Sequence, residues 1–455
     1  MAIRWPNLNR PLSKHHEFCT AVVMRVYDIW KKNGFDDSKG LPIMNYPGEE
    51  NKWINNFASG SGEMHDEEGN YYYVSHPLLA YYVPFIWLNA LGFKITVLNI
   101  QLWHCIIHFS SAMLFFLLIK AYTGNLKVAL WSAVFYLLNG VSLWFQSNTY
   151  MSDMLVQVYF VSSLLAYTKL RQKYTLPKLI WLFISIGQMV YCSWFGYFTA
   201  VAILIHAIYK KDYAKRVSFT ILLSLSFFTS LFIYQYSQVN GISALFAEWM
   251  QRGGERSGMG FANFFAILKN YAIHFSPILL LLLFFARKIE WKKYQTVLFL
   301  LCLPTLLMHI ILSNYSVHDF TVLHALFPFS FVLTLALFKM KNVKLRYALS
   351  ISMIVVFVGQ YYFLNLPGET NYKGDRYDFY QEKGKAIASE REKGVVLFLW
   401  QDKIEPQTSF YAQCNVKSVN SQQEAEEFLK KRQGLQGKIL YFDGAQLIRS
   451  QKINL

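Results

Sequence analysis

Residues that could act as acids, bases or phosphate ligands stand at a few separated places in this chain, each beside an apolar stretch. The first is His15-His16-Glu17, which opens an amphipathic helical pattern that runs to Lys32. A carboxylate in the first turn of a helix is stabilised as an anion by the exposed N–H groups, and a general base must be ionised. Glu17 is therefore a candidate base, with an ordinary helix-terminal charge as the alternative.

Two further polar sites begin apolar segments later in the chain. Asp153 lies in YMSDMLVQ (150–157), where an ionisable residue at a membrane boundary usually faces a cavity or a partner. His318 and Asp319 lie in NYSVHDFTVLHALFP (314–328), where the histidine could donate to a phosphate while the aspartate orients its ring. The alternatives are a plain helix N-cap for Asp153 and an interfacial pair for His318 and Asp319.

Arginines in a glycine-rich segment are the candidate anion ligands. Arg252 and Arg256 lie in MQRGGERSGMG (250–260), within a long loop predicted over 237–271. A guanidinium group binds phosphate through paired donors, so these side chains suit a phosphate ester. A solvated loop is the alternative. Arg25 and His76 are further candidate phosphate contacts.

Polar residues also follow one face of the first long apolar segment. Gln101, His104 and His108 stand at positions i, i+3 and i+7 of a helix. The pattern lacks the glutamate of the HExxH zinc motif, so we interpret it as the lining of a polar cavity rather than as a metal site. We assign no metal ligand and no cofactor; a divalent metal is not indicated.

Membrane-spanning helices must position these residues. The chain has 455 residues, of which 54% are hydrophobic and 16% charged, whereas a soluble domain carries about 25% charged residues. A bilayer crossing takes roughly 20 helical residues, and we expect about nine to ten spans. The predicted spans are roughly 95–119, 128–146, 154–168, 179–192, 195–209, 217–236, 272–286, 296–313, 322–338 and 346–364.

The basic residues orient this bundle because they fall in every second loop, as the positive-inside rule requires. They are Lys169, Arg171, Lys173 and Lys178; Lys210, Lys211, Lys215 and Arg216; Arg287, Lys288, Lys292 and Lys293; and Lys339, Lys341, Lys344 and Arg346. This alternation accounts for most of the net charge of +16 without a nucleic-acid partner. It places residues 1–94, residues 365–455 and the candidate site on the extracytoplasmic side.

Three regions follow from this pattern. Residues 1–94 are expected to form an extracytoplasmic loop region with amphipathic and interfacial helices, and 95–364 the transmembrane bundle. In 365–455 two apolar runs, 394–400 and 438–443, predict buried strands, and two charged stretches, 376–392 and 421–433, predict helices, so this region is expected to be a small soluble α/β domain. We expect a further span upstream of Met1, because nothing else would export the N-terminal region; a cytoplasmic N-terminus is the alternative.

Several segments resemble the GT-C superfamily of lipid-phosphosugar-dependent glycosyltransferases, and in particular its protein O-mannosyltransferase and lipid A aminoarabinose transferase branch. They are RPLSKHHEFCTAVVMRVYDIWKKNGF (10–35), GNYYYVSHPLLAYYVPFIWLNALGF (69–93), the aspartate in YMSDMLVQ, and HDF followed by Pro328. His16-Glu17 stands here where the family has an Asp-Glu pair, which displaces the carboxylate by one position.

The resemblance implies an all-α polytopic membrane glycosyltransferase. It would move a sugar, with inversion, from a polyprenyl-phosphate donor to a lipid, glycan or protein acceptor at the periplasmic face of a bacterial inner membrane. Its partners would be donor, acceptor and membrane lipids. The resemblance makes Glu17 and Asp153 the catalytic candidates. The substrate-binding candidates are His16, Arg25, His76, His104, Arg252, Arg256, His318 and Asp319.

Three other functions compete with this interpretation. A transporter or flippase for a lipid-linked sugar would need charged or broken helices near the membrane midplane and often inverted repeats, whereas the polar groups here gather at one face. An O-antigen polymerase or ligase would rely on an arginine-rich outer loop, of which 252–256 is a faint version. A non-catalytic scaffold predicts no convergence of Glu17, Asp153 and His318.

Overall fold

The computed structural model describes residues 2–56, 62–148, 151–211, 213–258, 260–365, 378–432 and 434–453. Short elements before the bundle pack against one of its ends. A 3-10 helix at Ala2–Asn7 precedes α1 (Glu17–Asn33), and α2 (Leu79–Ala90) follows within the same N-terminal region; an interfacial position for α2 stays a prediction. Between them, β1 (Glu63–His65) and β2 (Tyr71–Tyr73) pair antiparallel.

The amphipathic helix expected from His16 onward is confirmed as α1, but its polar side is largely buried as well. Most of its side chains are buried, including polar Glu17, Thr20 and Arg25. Its apolar side packs in the main hydrophobic core, which is continuous with the helical bundle. The C-terminal domain covers the opposite side. Burial by a domain distant in sequence cannot be read from the local pattern.

The bundle follows as a series of apolar helices. They are α3 (Val97–Thr123), α4 (Leu126–Leu138), α5 (Gly140–Asn148), α6 (Met151–Gln172), α7 (Leu176–Val190), α8 (Phe195–Lys210), α9 (Ala214–Arg256), α10 (Phe261–Phe285), α11 (Trp291–Ile311), α12 (Ser313–Ser316), α13 (Leu326–Phe338) and α14 (Val343–Gln360). Among the described residues, six helices are long and apolar enough to cross a membrane, and seven if the bent pair α4–α5 is one span. Helices α7 and α8 are apolar but shorter, so the predicted count of spans stays a prediction.

Helix α9 corrects the predicted loop over 237–271. It continues to Arg256, bending at Asn240 and Gly241, and α10 begins at Phe261. The bend has a backbone cause, because Gly241 has a φ of 80°, which side-chain-bearing residues rarely adopt. Beyond the bend Trp249 packs into the N-terminal region and donates from Nε1 to the carbonyl of Val74 at 2.9 Å. These contacts hold a glycine-containing segment helical that propensity alone would leave as a loop.

The C-terminal region is a small α/β domain, as predicted. Its elements are α15 (Phe379–Ser389), β3 (Val395–Trp400), α16 (Pro406–Ala412), β4 (Val416–Val419), α17 (Gln422–Lys430), β5 (Gln436–Asp443) and β6 (Gln446–Ile453). The sheet order is β4-β3-β5-β6, parallel except for the β5–β6 hairpin. The strands expected at 394–400 and 438–443 are thus confirmed. Residues 376 and 377 of the predicted helix 376–392 lie outside the described residues.

Asparagine side chains fasten this domain to the N-terminal region. Asn415 accepts from the backbone N–H of Tyr46 at 2.9 Å, and its own N–H donates to the side chain of Asn51 at 2.7 Å. Ile54 joins the hydrophobic core of the domain. The domain is therefore docked on the segment that follows α1. The bounds predicted between the three regions stay predictions.

Candidate functional site

Polar side chains from distant parts of the chain converge at one end of the bundle. They come from the start of α1, the segment before α2, the start of α6, the end of α9 and the segment between α11 and α13. We call this set the polar cluster. Its members are His15, His16, Ser75, His76, Asp153, Arg252, Arg256, Tyr315, His318, Asp319 and His324.

The end of α9 brings two arginines to one hydroxyl. Arg256 donates from Nη2 to Ser75 Oγ at 2.8 Å, and Arg252 donates from Nε to the same oxygen at 3.3 Å. Arg256 also lies over the ring of Tyr315, with 5.1 Å between its guanidinium carbon and the ring centroid. The two arginines predicted to lie in a loop are thus part of α9, and the segment beyond the bend brings them to the other members of the polar cluster.

His76 is a neutral neighbour of these arginines. Its Nε2 lies 3.3 Å from Arg256 Nη2, and because a guanidinium group can only donate, Nε2 accepts and the ring proton sits on Nδ1. Burial, and next the charge of Arg256, lowers the pKa of His76 to about 3. Tyr236 donates to the backbone carbonyl of His76 at 2.5 Å and fixes the residue in place. The neutral imidazole adds no charge beside the two guanidinium groups, of which Arg252 also forms an ion pair with Glu255 at 2.9 Å.

Asp153 is buried within a network of hydrogen bonds. Tyr315 donates its hydroxyl to Oδ2 at 2.7 Å, and His324 Nε2 lies 3.1 Å from Oδ1. Gln157 Nε2 lies 2.9 Å from His324 Nδ1 on the other side of the ring. Phe195 stacks on the same imidazole. Asp153 is therefore buried within the polar cluster rather than a plain N-cap.

Two adjacent histidines bind one carboxylate from the far end of the chain. His15 Nε2 lies 2.8 Å from Asp319 Oδ2, and His16 Nε2 lies 2.8 Å from Asp319 Oδ1. Asp319 was expected to orient His318; its described hydrogen bonds go instead to His15 and His16. The His318 ring stacks on Phe320, and burial and the neighbouring His16 lower its pKa.

Glu17 lies beside this cluster but is engaged by other groups. Arg10 donates to both carboxylate oxygens, at 2.6 and 2.8 Å. The backbone N–H groups of Ser13 and Lys14 donate to Oε2 at 2.7 and 2.6 Å. The side chain is fully buried. Its role as a base stays a prediction, and in this arrangement the carboxylate would first have to leave Arg10.

Arg25 and His104 are held by other partners. Arg25 is fully buried, donates to the carbonyl of Met44, and lies over the ring of Tyr46 at 5.7 Å. His104 is hydrogen bonded through Nδ1 to the carbonyl of Ser147 at 2.7 Å. Arg25 thus lies under the docked C-terminal domain, and His104 links α3 to α5. Their predicted substrate contacts stay predictions.

Sequence reasoning missed Ser75, Tyr315 and His324 as members of the polar cluster. Each stands next to a residue or within a segment that was chosen: Ser75 precedes His76, and the other two lie in 314–328. Serine and tyrosine are too common in outer segments to single out by type. Their selection needed the contacts with Arg256 and Asp153.

An apolar groove reaches the segment between α11 and α13, which also contributes residues to the polar cluster. It has a volume of about 620 Å³ and lies between α10, α11 and α13, lined by side chains such as Leu268, Leu306 and Phe329. Its lining includes Ser313 and Ala325, which are close in sequence to Tyr315 and His324. Thr305, also in the lining, donates to the carbonyl of His324 at 3.2 Å. The groove and the cluster together suit a ligand with a long apolar tail and an anionic head.

Solved structures of similar fold exist, although no family model and no curated protein matches the chain. One is the crystal structure of ArnT from Cupriavidus metallidurans bound to undecaprenyl phosphate, with a TM-score of 0.63 and 11% identity over 97% of this chain and 91% of ArnT. Another is the archaeal oligosaccharyltransferase AglB from Archaeoglobus fulgidus in complex with an inhibitory peptide and a dolichol-phosphate. Its TM-score is 0.57, with 10% identity over 95% of this chain and 66% of AglB.

Proposed function

We propose that this chain, which has the GT-C glycosyltransferase fold predicted from its sequence, transfers a sugar from a polyprenyl-phosphate carrier to an acceptor. The observation that carries the proposal is the apolar groove of about 620 Å³, which reaches the segment between α11 and α13. The same segment contributes Tyr315 to the polar cluster, where it contacts Arg256. A polyprenyl phosphate has the matching shape, a long apolar tail with one phosphate. The ligands named for ArnT and AglB, undecaprenyl phosphate and dolichol-phosphate, belong to this class.

Arg252, Arg256 and His76 would bind the phosphate. When the sugar–phosphate bond breaks, the bonding electrons stay on the phosphate oxygen, so its negative charge grows in the transition state. Hydrogen bonds from guanidinium groups strengthen as that charge develops, and this lowers the barrier. A phosphate monoester leaves readily, so the reaction needs no general acid at this position.

Asp153 and Glu17 are the proposed carboxylates for taking the proton of the acceptor hydroxyl or amine. The contacts favour Asp153, because its described side-chain partners are the hydroxyl of Tyr315 and the imidazole of His324 rather than a guanidinium group. Glu17, by contrast, forms an ion pair with the guanidinium group of Arg10 and accepts hydrogen bonds from two backbone N–H groups. The acceptor attacks from the side opposite the departing phosphate, and this inverts the configuration at the anomeric carbon of the sugar.

We place the reaction at the extracytoplasmic face of a bacterial inner membrane, with a lipid, glycan or protein as acceptor and with membrane lipids around the bundle. The basic loops support this orientation, since the cluster lies at the end of the bundle away from them. A divalent metal is not required by this chemistry, which rests on arginine donors and a carboxylate.

Binding of the carrier tests the proposal. The full chain, purified in detergent, should bind undecaprenyl phosphate, and Arg256→Gln should weaken binding by about tenfold or more, as expected for the loss of a charged hydrogen bond. Arg287→Gln, in the exposed turn after α10, is the matched control and should leave the affinity unchanged. Equal affinity in Arg256→Gln would contradict the proposed phosphate site. A strong preference for undecaprenyl diphosphate would instead favour the polymerase or ligase alternative.

A further inference from the structure

A smaller pocket lies where the 3-10 helix at Ala2–Asn7 meets α3 and the junction of α4 with α5. Its volume is about 360 Å³. Apolar side chains such as Ile3 and Phe109 form most of its wall, and Arg4 and His108 are among the polar side chains that line it. None of the described residues that line this pocket also lines the groove between α10, α11 and α13. The pocket is therefore separate from the proposed carrier site.

Arg4 is a buried cation in the wall of this pocket, and its side chain is only 3% exposed. Its Nη2 donates to the backbone carbonyl of Ser142 at 2.8 Å and to His108 Nδ1 at 2.9 Å, and its Nη1 lies 3.5 Å from Cys105 Sγ. Because a guanidinium group can only donate, His108 accepts and is neutral. Arg4 Nε has no hydrogen-bond partner, and within the described ranges of the chain no carboxylate pairs with Arg4.

An unpaired guanidinium group is strongly disfavoured at this depth. Helix α3 is long and apolar enough to cross a membrane. At a rise of 1.5 Å per residue, Cys105 and His108 lie about 12 and 16 Å along its axis from Val97. Arg4 therefore contacts the outer half of the span in the predicted orientation, where an ionisable side chain needs a partner. A counter-ion supplied by a ligand would remove the cost of the buried charge.

The pocket is accessible from the side of the bundle that would face lipid. Ile106 and Phe109 belong to its lining and are also exposed on the outside of α3. A ligand that enters here has its apolar part among acyl chains and its charged part at the guanidinium group. We propose that the pocket binds one anionic phospholipid of the surrounding bilayer, with its phosphate on Arg4 and its acyl chains along Ile106 and Phe109.

The chemistry of the pocket favours a phospholipid of net negative charge. A guanidinium group binds phosphate through paired donors, and basic pockets between membrane helices bind anionic lipid headgroups. A zwitterionic lipid would bring its own cation next to Arg4, and no carboxylate among the described partners of Arg4 is there to receive it. Because Arg4 also bonds to Ser142, a bound lipid would stabilise the contact of the N-terminal segment with α3 and α5.

Titration with defined lipids is the test. The full chain is purified in detergent, stripped of lipid, and titrated with phosphatidylglycerol or phosphatidylcholine while bound lipid is counted by native mass spectrometry. We expect one phosphatidylglycerol per chain, bound more tightly than phosphatidylcholine. Arg4→Gln should weaken its binding by about tenfold or more, as expected for the loss of a charged hydrogen bond. Lys120→Gln, exposed near the other end of α3, is the matched control and should keep the affinity.

Ser110→Leu tests the pocket without removing the charge. Ser110 belongs to the lining, and the larger side chain takes up space in the pocket, so phosphatidylglycerol should bind more weakly although Arg4 is retained. Arg4→Gln and Ser110→Leu should both keep their affinity for undecaprenyl phosphate, and Arg256→Gln should keep its affinity for phosphatidylglycerol. This proposal and the proposed function can therefore fail separately.

Four results would overturn the lipid site. They are equal affinity for the two phospholipids, phosphatidylglycerol binding that neither Arg4→Gln nor Ser110→Leu weakens, equally strong competition by inorganic phosphate, and loss of undecaprenyl phosphate affinity in Arg4→Gln. The titration is repeated on a chain that includes the segment expected upstream of Met1. If that segment filled the pocket, no phosphatidylglycerol would bind there, and this result would also contradict the proposal.

Discussion

The pair formed by Glu17 and Arg10 shows at the residue scale how burial decides what a carboxylate can do. The Glu17 side chain is fully buried and that of Arg10 is 12% exposed. We predict that Glu17→Gln destabilises the chain by about 3–5 kcal/mol, because removing one member of a buried ion pair leaves the other charge uncompensated. Thermal or denaturant unfolding in detergent measures this loss.

The double variant Arg10→Met with Glu17→Met removes both charges and distinguishes the two roles of Glu17. If the glutamate is structural, as its contacts indicate, the double variant regains much of the stability and retains sugar transfer. A stable but inactive double variant would contradict this and return the role of base to Glu17.

His76 gives a pH dependence with a definite sign. Burial and Arg256 lower its pKa from 6.5 to about 3 in the folded chain. Between these values the unfolded chain binds the extra proton and the folded chain does not, so stability falls as the pH falls below about 6.5. We predict that His76→Gln loses less stability than the unmodified chain between about pH 7.5 and pH 5. His65→Gln, outside the cluster, should behave like the unmodified chain; equal losses in all three would contradict this prediction.

The residue types of the site could be predicted from sequence, but their pairing could not. His16, Asp153, Arg256 and Asp319 were recognisable because charged and imidazole groups beside apolar segments are rare. That His16 faces Asp319 rests on a contact across 303 residues, fixed by how α1 sits on the bundle. No local pattern records such a contact.

The bend in α9 is the element that positions the arginines. Gly241 has a φ of 80° and no atom within 4 Å of where a Cβ would lie, so conformation rather than space restricts the position. We predict that Gly241→Ala costs about 1–3 kcal/mol, because a φ of 80° with a ψ of 166° is a backbone conformation essentially restricted to glycine. It should also weaken binding of undecaprenyl phosphate, because the arginines at the end of α9 shift.

Gly253→Ala is the matched control on the same helix. Gly253 also has open space around it but lies in regular helix, so alanine should be neutral or stabilising by up to about 1 kcal/mol. If Gly241→Ala and Gly253→Ala had the same effect on unfolding and on carrier affinity, the bend would not be what positions the arginines.

The elements themselves were predictable to different degrees. The apolar runs of β3, β5 and the long spans predict these elements well, because loops rarely contain so many consecutive apolar residues. Helix α9 was predicted to end near residue 236, since Asn240, Gly241 and later glycines are typical of loops. Its continuation depends on tertiary contacts such as that of Trp249 with Val74, which sequence periodicity does not reveal.

The whole molecule has a predicted orientation that reporter fusions can test. Fusions after Lys173, Lys211, Lys288 and Lys344 should report the cytoplasm, since these residues lie in or next to the basic loops. Fusions after Ser316 and Lys383 should report the opposite side, where the polar cluster and the C-terminal domain lie. Two or more opposite results would reverse the orientation and place the site in the cytoplasm.

Sugar transfer by the full chain tests the central claim most directly. The substrate is undecaprenyl phosphate carrying a radiolabelled hexose or pentose, and membranes of the source organism supply the acceptor. We predict that label moves to the acceptor as undecaprenyl phosphate is released, and that Asp153→Asn slows turnover by about 10²–10⁴-fold, the usual effect of losing a general base. Asp443→Asn, exposed at the end of β5, is the control and should keep full activity. Movement of the intact sugar-lipid across the membrane without release of undecaprenyl phosphate, or unchanged turnover in Asp153→Asn, would contradict the account.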